Sequence, residues 1–417
     1  MSATPTPNHP FFSPSRIRRQ ALLLTIALWL GYAATLATPG LRDRFGHLKG
    51  ADFLHAYILG TIALEHRGNA LYDPVAQRAI GDRRVPGSAG NYFLPVYGPQ
   101  YSLIWMPFAL LPYAWAACLW IAISTAIYAG CCYAAWRTCQ NLQFHGTTVA
   151  LAAAAFPGFF ALVTFGQNSA LALAALTLAY FALRSRHDLL AGLCLGLLAY
   201  KPHLALVLLF ALFASSLWPQ RHQVGARMSA CKALAGAAIS VLVQFTLALA
   251  WYGPRPLDTY FNLLTRLGSI APILEPRIYL MHSLRAFLDL LLPWPAVSFA
   301  FYVLTALPAL LLAISCWRKP GPLEPRFAVL LFATVLVAPH LTVYDLVILA
   351  PAFLWVTDRL ASNAAPRIAA LLYLAYLLPF AGPLARWTHV QLSVVCMAAL
   401  LGTLAQELHY YSYRARI

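Results

Sequence analysis

Acidic residues are scarce in this chain. Asp and Glu together number 13 in 417 residues, and charged residues of either sign make up 10%. Hydrophobic residues reach 61%, and the mean hydropathy is +0.66. Such a composition supplies too little polar surface for a water-soluble globule of this length, which excludes that class and predicts a polytopic membrane protein.

Several functional signatures are missing as well. The sequence contains no Walker loop, no Rossmann glycine signature and no zinc-binding helix motif, so a nucleotide-linked donor is not supported. The eight cysteines lie in or at the ends of apolar segments without any C-x-x-C pair, and we interpret them as small core residues. We therefore expect no cofactor and no metal site.

The net charge of +16 could indicate a protein that binds nucleic acid. The basic residues, however, are dispersed among short loops instead of forming one stripe, and membrane orientation explains that distribution better. We expect no nucleic-acid partner; the lipid bilayer is the predicted environment.

Long charge-free runs are what the chain has in abundance. A spanning helix needs about 20 apolar residues, so these runs hold one or two helices each. We count twelve apolar segments, some too short to span alone, which predicts about 12 transmembrane or partial helices, within a range of 10 to 13. They lie at about 20–39, 113–136, 147–163, 168–183, 189–200, 202–217, 232–251, 296–316, 327–338, 343–357, 367–382 and 388–408.

The basic loops predict the orientation. Placing Arg16, Arg18 and Arg19 in the cytoplasm puts both termini there, as expected for a multi-pass protein of a bacterial-type inner membrane. Residues 1–19 are then a disordered tail, 20–408 a single transmembrane domain, and 409–417 a C-terminal tail. Two long loops, about 42–112 and 252–295, lie on the outer, periplasmic face together with most of the acids.

Asp52, in the first outer loop, is the leading candidate for chemistry. Its sequence context indicates a short helix that also carries His55, a candidate sugar or acceptor ligand. One interpretation makes Asp52 the cap of this helix. The other makes it a general base that removes the proton of an acceptor hydroxyl in an inverting sugar transfer. Asp73 precedes a proline in a turn and is interpreted as structural.

Lys201 lies between two short apolar halves, beside His203. A snorkelling lysine is one interpretation, and an anion ligand for a lipid phosphate, assisted by His203, is the other. Gln167 and Asn168 form a polar tip between two further apolar halves. They are predicted to be either a helix-hairpin turn or a contact to a sugar.

Two further groups contain candidate sugar or acceptor ligands. His282 lies in the second outer loop, where a solvated loop is the alternative interpretation. His340 and Tyr344 are four residues apart, hence on one face if helical, and Asp345 follows them. These three residues either line a polar site or pack in the core.

Seven motifs follow one another along the chain: DFLHAY (52–57), GNALYDP (68–74), YGPQYSLIWMPFALLP (97–112), FGQNS (165–169), GLLAYKPH (196–203), MHSL (281–284) and PHLTVYD (339–345). Taken in order, these motifs resemble glycosyltransferase family 87, which includes polyprenyl-phosphate-mannose-dependent mannosyltransferases. The resemblance spans about residues 45–350. One departure is MHS at 281–283, where the family more often has Gln before Ser.

The resemblance implies an all-α, C-type glycosyltransferase fold with a catalytic acid in a long first outer loop that contains interfacial helices. It makes Asp52 the base and Lys201 the contact to the phosphate of a polyprenyl-phosphate-sugar donor. It also implies that Gln167, Asn168, His282 and His340 line the sugar or acceptor pocket. The expected acceptor is a hydroxyl of an outer-face glycolipid or glycan.

Two other functions are compatible with the same features. A lipid-linked sugar flippase or transporter would favour repeated halves and charges along a through-path, whereas this chain has one long reactive loop. A glycan ligase or polymerase that uses a polyprenyl-diphosphate donor differs from the first hypothesis in the donor alone.

Overall fold

A computed structural model of the chain describes residues 13–88, 96–217, 225–269, 277–362 and 365–414. Helix accounts for 81% of the described residues, which contain no β-strand. The described residues include two isolated β-bridges, one between Arg42 and Leu48 and one between Met281 and Thr342. The predicted all-α class is confirmed.

The helices follow the charge-free runs. The α-helices are α1 Pro14–Leu36, α2 Ala51–Leu64, α3 Pro74–Arg84, α4 Gln100–Trp105, α5 Tyr113–Thr138, α6 Gly146–Ala154, α7 Pro157–Phe165, α8 Ser169–Arg184, α9 Asp188–Gly196, α10 Leu206–Leu217, α11 Ala226–Tyr252, α12 Arg255–Thr265, α13 Leu284–Leu291, α14 Pro295–Trp317, α15 Leu323–Val337, α16 Ala350–Ser362, α17 Pro366–Leu377, α18 Ala385–Thr388 and α19 Leu392–Arg414. Short 3₁₀ helices lie at Gly68–Tyr72, Phe108–Leu110, Gln143–His145, Leu197–Tyr200, Pro202–Leu204, Ile278–Leu280, Val343–Leu349 and Leu378–Leu384.

Six helical spans of the described residues are long and apolar enough to cross a membrane, or seven if the pair α6 and α7, bent by 49°, forms one span. A multi-pass membrane protein is therefore confirmed. The count of about 12 and the C-type architecture stay predictions, because several predicted segments, α8 and α10 among them, are shorter apolar helices.

The N-terminal boundary differs from the prediction. We expected a disordered tail through residue 19, but α1 begins at Pro14, so residues 14–19 are helical. Proline suits the first position of a helix, where its missing N–H would have no partner in any case. Residues 1–12 and 415–417 of the predicted tails lie outside the described residues.

Two ends of the bundle are recognisable from their contacts. At one end, Tyr113 of α5 donates its hydroxyl to the carbonyl of Gly50 at 2.9 Å, next to the start of α2. At the other end, Asp358 accepts from the backbone N–H of Asn141 at 2.6 Å, and Arg184 pairs with Glu324 at 2.6 Å. Asn141, Arg184, Glu324 and Asp358 lie in or next to connections that the sequence predicts to be cytoplasmic.

Helices α9 and α11 touch backbone to backbone. A Cβ on Gly192 would lie 1.8 Å from the carbonyl oxygen of Ala233, and one on Gly236 would lie 2.2 Å from that of Leu189. Only glycine fits at either position, since real Cβ atoms do not approach so closely. This contact fixes the end of α9, and therefore the Lys201 segment that follows it.

Candidate active site

Asp52 lies in the first turn of α2, but it does not cap the helix. The N-cap is Gly50, in the left-handed conformation (φ 66°), and no side chain caps this end. The Asp52 carboxylate instead accepts a hydrogen bond from Nε2 of Gln167 at 2.6 Å. The cap interpretation is therefore wrong, although a carboxylate in a first turn still interacts favourably with the helix dipole.

Gln167 reaches Asp52 because α7 and α8 are joined by a tight turn. Gly166 adopts a left-handed conformation (φ 70°), which ends α7 and redirects the chain towards α8. A Cβ on Gly166 would lie 3.1 Å from Cβ of Phe53 and 3.3 Å from Cα of Gly50. The polar tip of the turn is thus pressed against the start of α2.

Asn168 continues the turn into a group of tyrosines. Its amide donates to the hydroxyl of Tyr101 at 2.5 Å and to that of Tyr97 at 3.3 Å. The ring of Tyr200 stacks on Tyr101 at 5.4 Å. Buried Oδ1 of Asn168 has no hydrogen-bond partner among the described residues, so it is available to a ligand.

Lys201 is buried rather than snorkelling. Its ammonium donates to Oδ1 of Asp345 at 2.7 Å and to Oγ of Ser169 at 3.2 Å. The two charged side chains are 5% and 1% exposed. Oδ2 of Asp345 accepts from the backbone N–H of Thr342 at 3.3 Å, so this carboxylate caps the helix Val343–Leu349 while it neutralises Lys201.

The turn between α7 and α8 joins the two polar groups. Gln167 binds Asp52, and Ser169 binds both Lys201 and Asp345, at 2.5 Å in the latter case. Because Gln167 and Ser169 are two residues apart, their Cα atoms are within about 7 Å of each other. The structure therefore brings Asp52, Lys201 and Asp345 into one region of the molecule.

Burial raises the pKa of Asp52 to about 6, and the effect is opposed by the hydrogen bond from Gln167 and by the positive charges of Lys201 and Arg277. A carboxylate with this pKa is a stronger base than an exposed aspartate and is still ionised at neutral pH. Arg277 was not among the sequence-predicted residues. The only sequence signal that could have identified Arg277 was its position shortly before the motif at 281–284.

His55 lies one turn after Asp52 on α2. It is buried, and burial lowers the pKa of its imidazole to about 4, so the ring is neutral at physiological pH. Its ring lies 6.0 Å from that of Tyr97. His55 thus adjoins the tyrosine group.

The other predicted ligands divide into two sets. Lys201 lies 5.4 Å from the ring centre of Tyr344, and the rings of His203 and His340 are 6.4 Å apart. Tyr344 and His203 thus lie near the Lys201–Asp345 pair, and His340 lies beside His203. His282 has different neighbours.

His282 is 1% exposed, and its Nδ1 lies 2.7 Å from the hydroxyl of Ser393 in α19. Its backbone N–H donates to the carbonyl of Leu341 at 2.9 Å. Burial lowers the pKa of its ring to about 3. His282 therefore joins the second loop to the C-terminal helix, and its described contacts do not include Asp52 or Lys201.

The family model of glycosyltransferase family 87 matches residues 95–339. This chain belongs to glycosyltransferase family 87. The match covers Gln167, Asn168 and Lys201 and ends just before His340, whereas Asp52 lies ahead of it. No curated protein and no solved structure matches the chain. Membership of the family makes the protein a membrane glycosyltransferase that uses a lipid-linked donor and an acceptor in a membrane.

Proposed function

We propose that this glycosyltransferase transfers a hexose, mannose by family analogy, from a polyprenyl phosphate to a hydroxyl of a glycolipid or glycan, with inversion at the anomeric carbon. The observation that supports it best is the Asp52 carboxylate, whose pKa is raised by burial, in the same region as the buried Lys201 ammonium. One carboxylate is what a single inverting displacement requires.

In the proposed step, Asp52 takes the proton of the acceptor hydroxyl while that oxygen attacks the anomeric carbon. The bond between this carbon and the phosphate oxygen breaks on the opposite face, and polyprenyl phosphate leaves with the bonding electrons. Gln167 orients the carboxylate through its 2.6 Å hydrogen bond. Lys201 and Arg277 stabilise the negative charge that develops on the leaving phosphate.

Lys201 is already paired with Asp345, and this pairing limits what Lys201 can contribute to phosphate binding. The pair is neutral overall, so Lys201 offers the phosphate a preorganised N–H donor while Arg277 contributes net positive charge. We assign Asp345 to positioning Lys201 instead of binding the acceptor. His203 remains a second contact to the phosphate.

The sugar pocket is assigned to the remaining polar groups near the turn between α7 and α8. Asn168 offers a buried amide oxygen, and neutral His55 offers a ring that can donate or accept. Tyr344 adjoins Lys201, and His340 adjoins His203. His282 is the weakest member of the predicted set, because its contacts are with Ser393 and Leu341.

The proposed location follows from the basic loops. The bundle end that carries Asp52 faces the periplasm of a bacterial-type inner membrane, and both termini are cytoplasmic. A donor that diffuses within the bilayer then reaches the site from the side, which accounts for the high hydrophobicity of a sugar-transferring enzyme.

The test is transfer by purified protein in detergent from polyprenyl-phosphate-mannose to candidate hydroxyl acceptors, with the product anomer assigned by NMR. The wild type should give the inverted linkage. Asp52→Asn should lower turnover by about a thousandfold or more, since it removes the base. Asp82→Asn is the matched control, because Asp82 is an exposed acid of the same loop.

Near-normal turnover in Asp52→Asn would remove Asp52 from the reaction. The same assay separates the competing functions. A flippase forms no glycosidic bond, and in detergent there are no two membrane sides between which it could move a lipid. A ligase or polymerase would require the diphosphate-linked donor in place of the monophosphate.

A further inference from the structure

Two aromatic side chains, Phe165 and Tyr344, lie beside both polar groups of the candidate site. Their ring centres are 6.2 Å apart, and the rings are inclined by 66°. Phe165 is the last residue of α7, two positions before Gln167, which binds Asp52. The aromatic pair is therefore attached to the same turn that holds the Asp52 carboxylate.

Tyr344 lies near both of the charges that the proposed reaction uses. The Lys201 ammonium is 5.4 Å from the centre of its ring. The pKa of the Tyr344 hydroxyl is raised by burial and then by the negative charges of Asp52 and Asp345. Tyr344 therefore keeps its proton at neutral pH, and its side chain lies close to the base as well as to the cation.

The aromatic pair presents apolar surface beside buried polar groups. Phe165 is 36% exposed and is the one exposed residue of α7, at the end that meets the turn. Tyr344 is partly exposed, whereas Lys201, Asp345 and Asn168 are buried. A molecule that approaches the site therefore meets ring surface as well as hydrogen-bonding groups.

A hexose has two kinds of surface. Its hydroxyl groups need hydrogen-bond partners, and the C–H groups of its ring form an apolar face. The face of an aromatic ring carries partial negative charge, so it attracts the weakly positive hydrogens of C–H groups, and the contact also removes apolar surface from water. Phe165 and Tyr344 supply such surface near Asn168, whose buried amide oxygen can accept a hydrogen bond from a hydroxyl group.

We propose that Phe165 and Tyr344 form an aromatic platform, which binds the C–H face of the donor's hexose and holds its anomeric carbon between Asp52 and Lys201. The proposal rests on the function proposed above. An inverting displacement needs the attacking oxygen, the anomeric carbon and the leaving oxygen in line, so the sugar ring must be fixed as well as the phosphate. Lys201 serves the phosphate, and the aromatic platform fixes the ring.

The binding test separates recognition of the sugar from recognition of the phosphate. It measures, in detergent and without acceptor, the Kd for polyprenyl-phosphate-mannose and the Kd for polyprenyl phosphate. Phe165→Leu and Tyr344→Leu should each raise the Kd for the mannosyl donor about tenfold, because leucine has no ring face for the C–H groups. The Kd for polyprenyl phosphate should stay within about twofold of the wild-type value, since this ligand has no sugar.

Two further variants complete the binding test. Tyr344→Phe keeps the ring and should recover most of the affinity for the mannosyl donor that Tyr344→Leu loses. Phe144→Leu is the matched control, because Phe144 is 94% exposed in the 3₁₀ helix Gln143–His145, at the opposite end of the bundle. It should bind both ligands as the wild type does. An unchanged Kd for the mannosyl donor in either platform leucine variant, or an equal rise for both ligands, would overturn the proposal.

A second measurement leaves both aromatic rings in place. A para-fluorophenylalanine residue takes the place of Phe165, and fluorine NMR follows its resonance as ligand is added. Polyprenyl-phosphate-mannose should shift the resonance, whereas polyprenyl phosphate should not. The same label in place of Phe144 should respond to neither ligand. A Phe165 label that ignores the mannosyl donor, as expected of a side chain that only contacts lipid, would contradict the proposal, and so would an equal response to both ligands.

Neither measurement depends on turnover, so the two proposals can fail separately. Wild-type protein that binds the mannosyl donor but transfers no mannose would contradict the proposed function, while the binding results would still decide the role of the platform. Transfer by the wild type, together with unchanged donor binding in both leucine variants of the platform, would remove the platform and leave the proposed function intact.

Discussion

Replacing one partner of the Lys201–Asp345 pair should strongly destabilise the protein, whereas removing both charges together should not. At 2.7 Å, and with an effective dielectric constant of about 20, the attraction is about 6 kcal/mol. Burying both ions offsets most of that gain. Removing one partner leaves the other charge buried and unpaired, which typically costs about 3–5 kcal/mol.

We therefore expect Lys201→Met and Asp345→Asn each to destabilise the protein by about 3–5 kcal/mol. The double variant Lys201→Met/Asp345→Asn should recover most of this loss, because neither charge remains and the introduced amide still offers an oxygen to Thr342. Transfer should be lost in Lys201→Met and should stay lost in the double variant.

The assay is thermal unfolding in detergent, measured beside mannose transfer for the four proteins of the cycle. Arg184→Met is the control, since the Arg184–Glu324 pair is 44% and 25% exposed and should contribute less than about 1 kcal/mol. A double variant less stable than either single variant would refute the pairing argument. Recovered transfer in the double variant would refute the role of Lys201 in the reaction.

Two further predictions concern Asp52 and Asp73. With Asp52 as the base, kcat/KM should rise about tenfold per pH unit below about pH 6 and level off above it, because only the ionised carboxylate accepts a proton. A kcat/KM that stays flat from about pH 4.5 to 7.5 would contradict this role. Asp73 accepts from the backbone N–H groups of Val75 and Ala76 at 2.9 and 3.2 Å. Asp73→Ala should therefore destabilise the protein by about 1 kcal/mol, measured by thermal unfolding, and leave transfer intact. Asp73→Asn should preserve both the stability and the transfer activity.

Local sequence signals were enough to locate most helices. The segments predicted at 113–136 and 296–316 appear as Tyr113–Thr138 and Pro295–Trp317, since a charge-free run and an initial proline or aromatic residue mark such helices. The apolar segment at 147–163 is not one straight helix. It breaks before Pro157, which lacks the N–H that an unbroken helix would need and begins α7 instead.

The site was predictable only in part. Asp52, Gln167 and Lys201 were identified from local context, but nothing local indicates that Gln167 binds a residue 115 positions away or that Lys201 pairs with a residue 144 positions away. These contacts depend on how the helices pack, which a single sequence does not encode in any short pattern. The same holds for Tyr97, which is positioned by its contact with Asn168.

The central claim is that Asp52 acts in the chemical step and not in donor binding. Its most direct test is a single-turnover experiment, in which wild-type and Asp52→Asn proteins are first saturated with polyprenyl-phosphate-mannose and then mixed with acceptor. We predict an unchanged donor Kd and a transfer rate lower by about a thousandfold or more in the variant. A transfer rate within about tenfold of the wild type would contradict the account, as would a loss of rate that a weaker donor Kd fully explains.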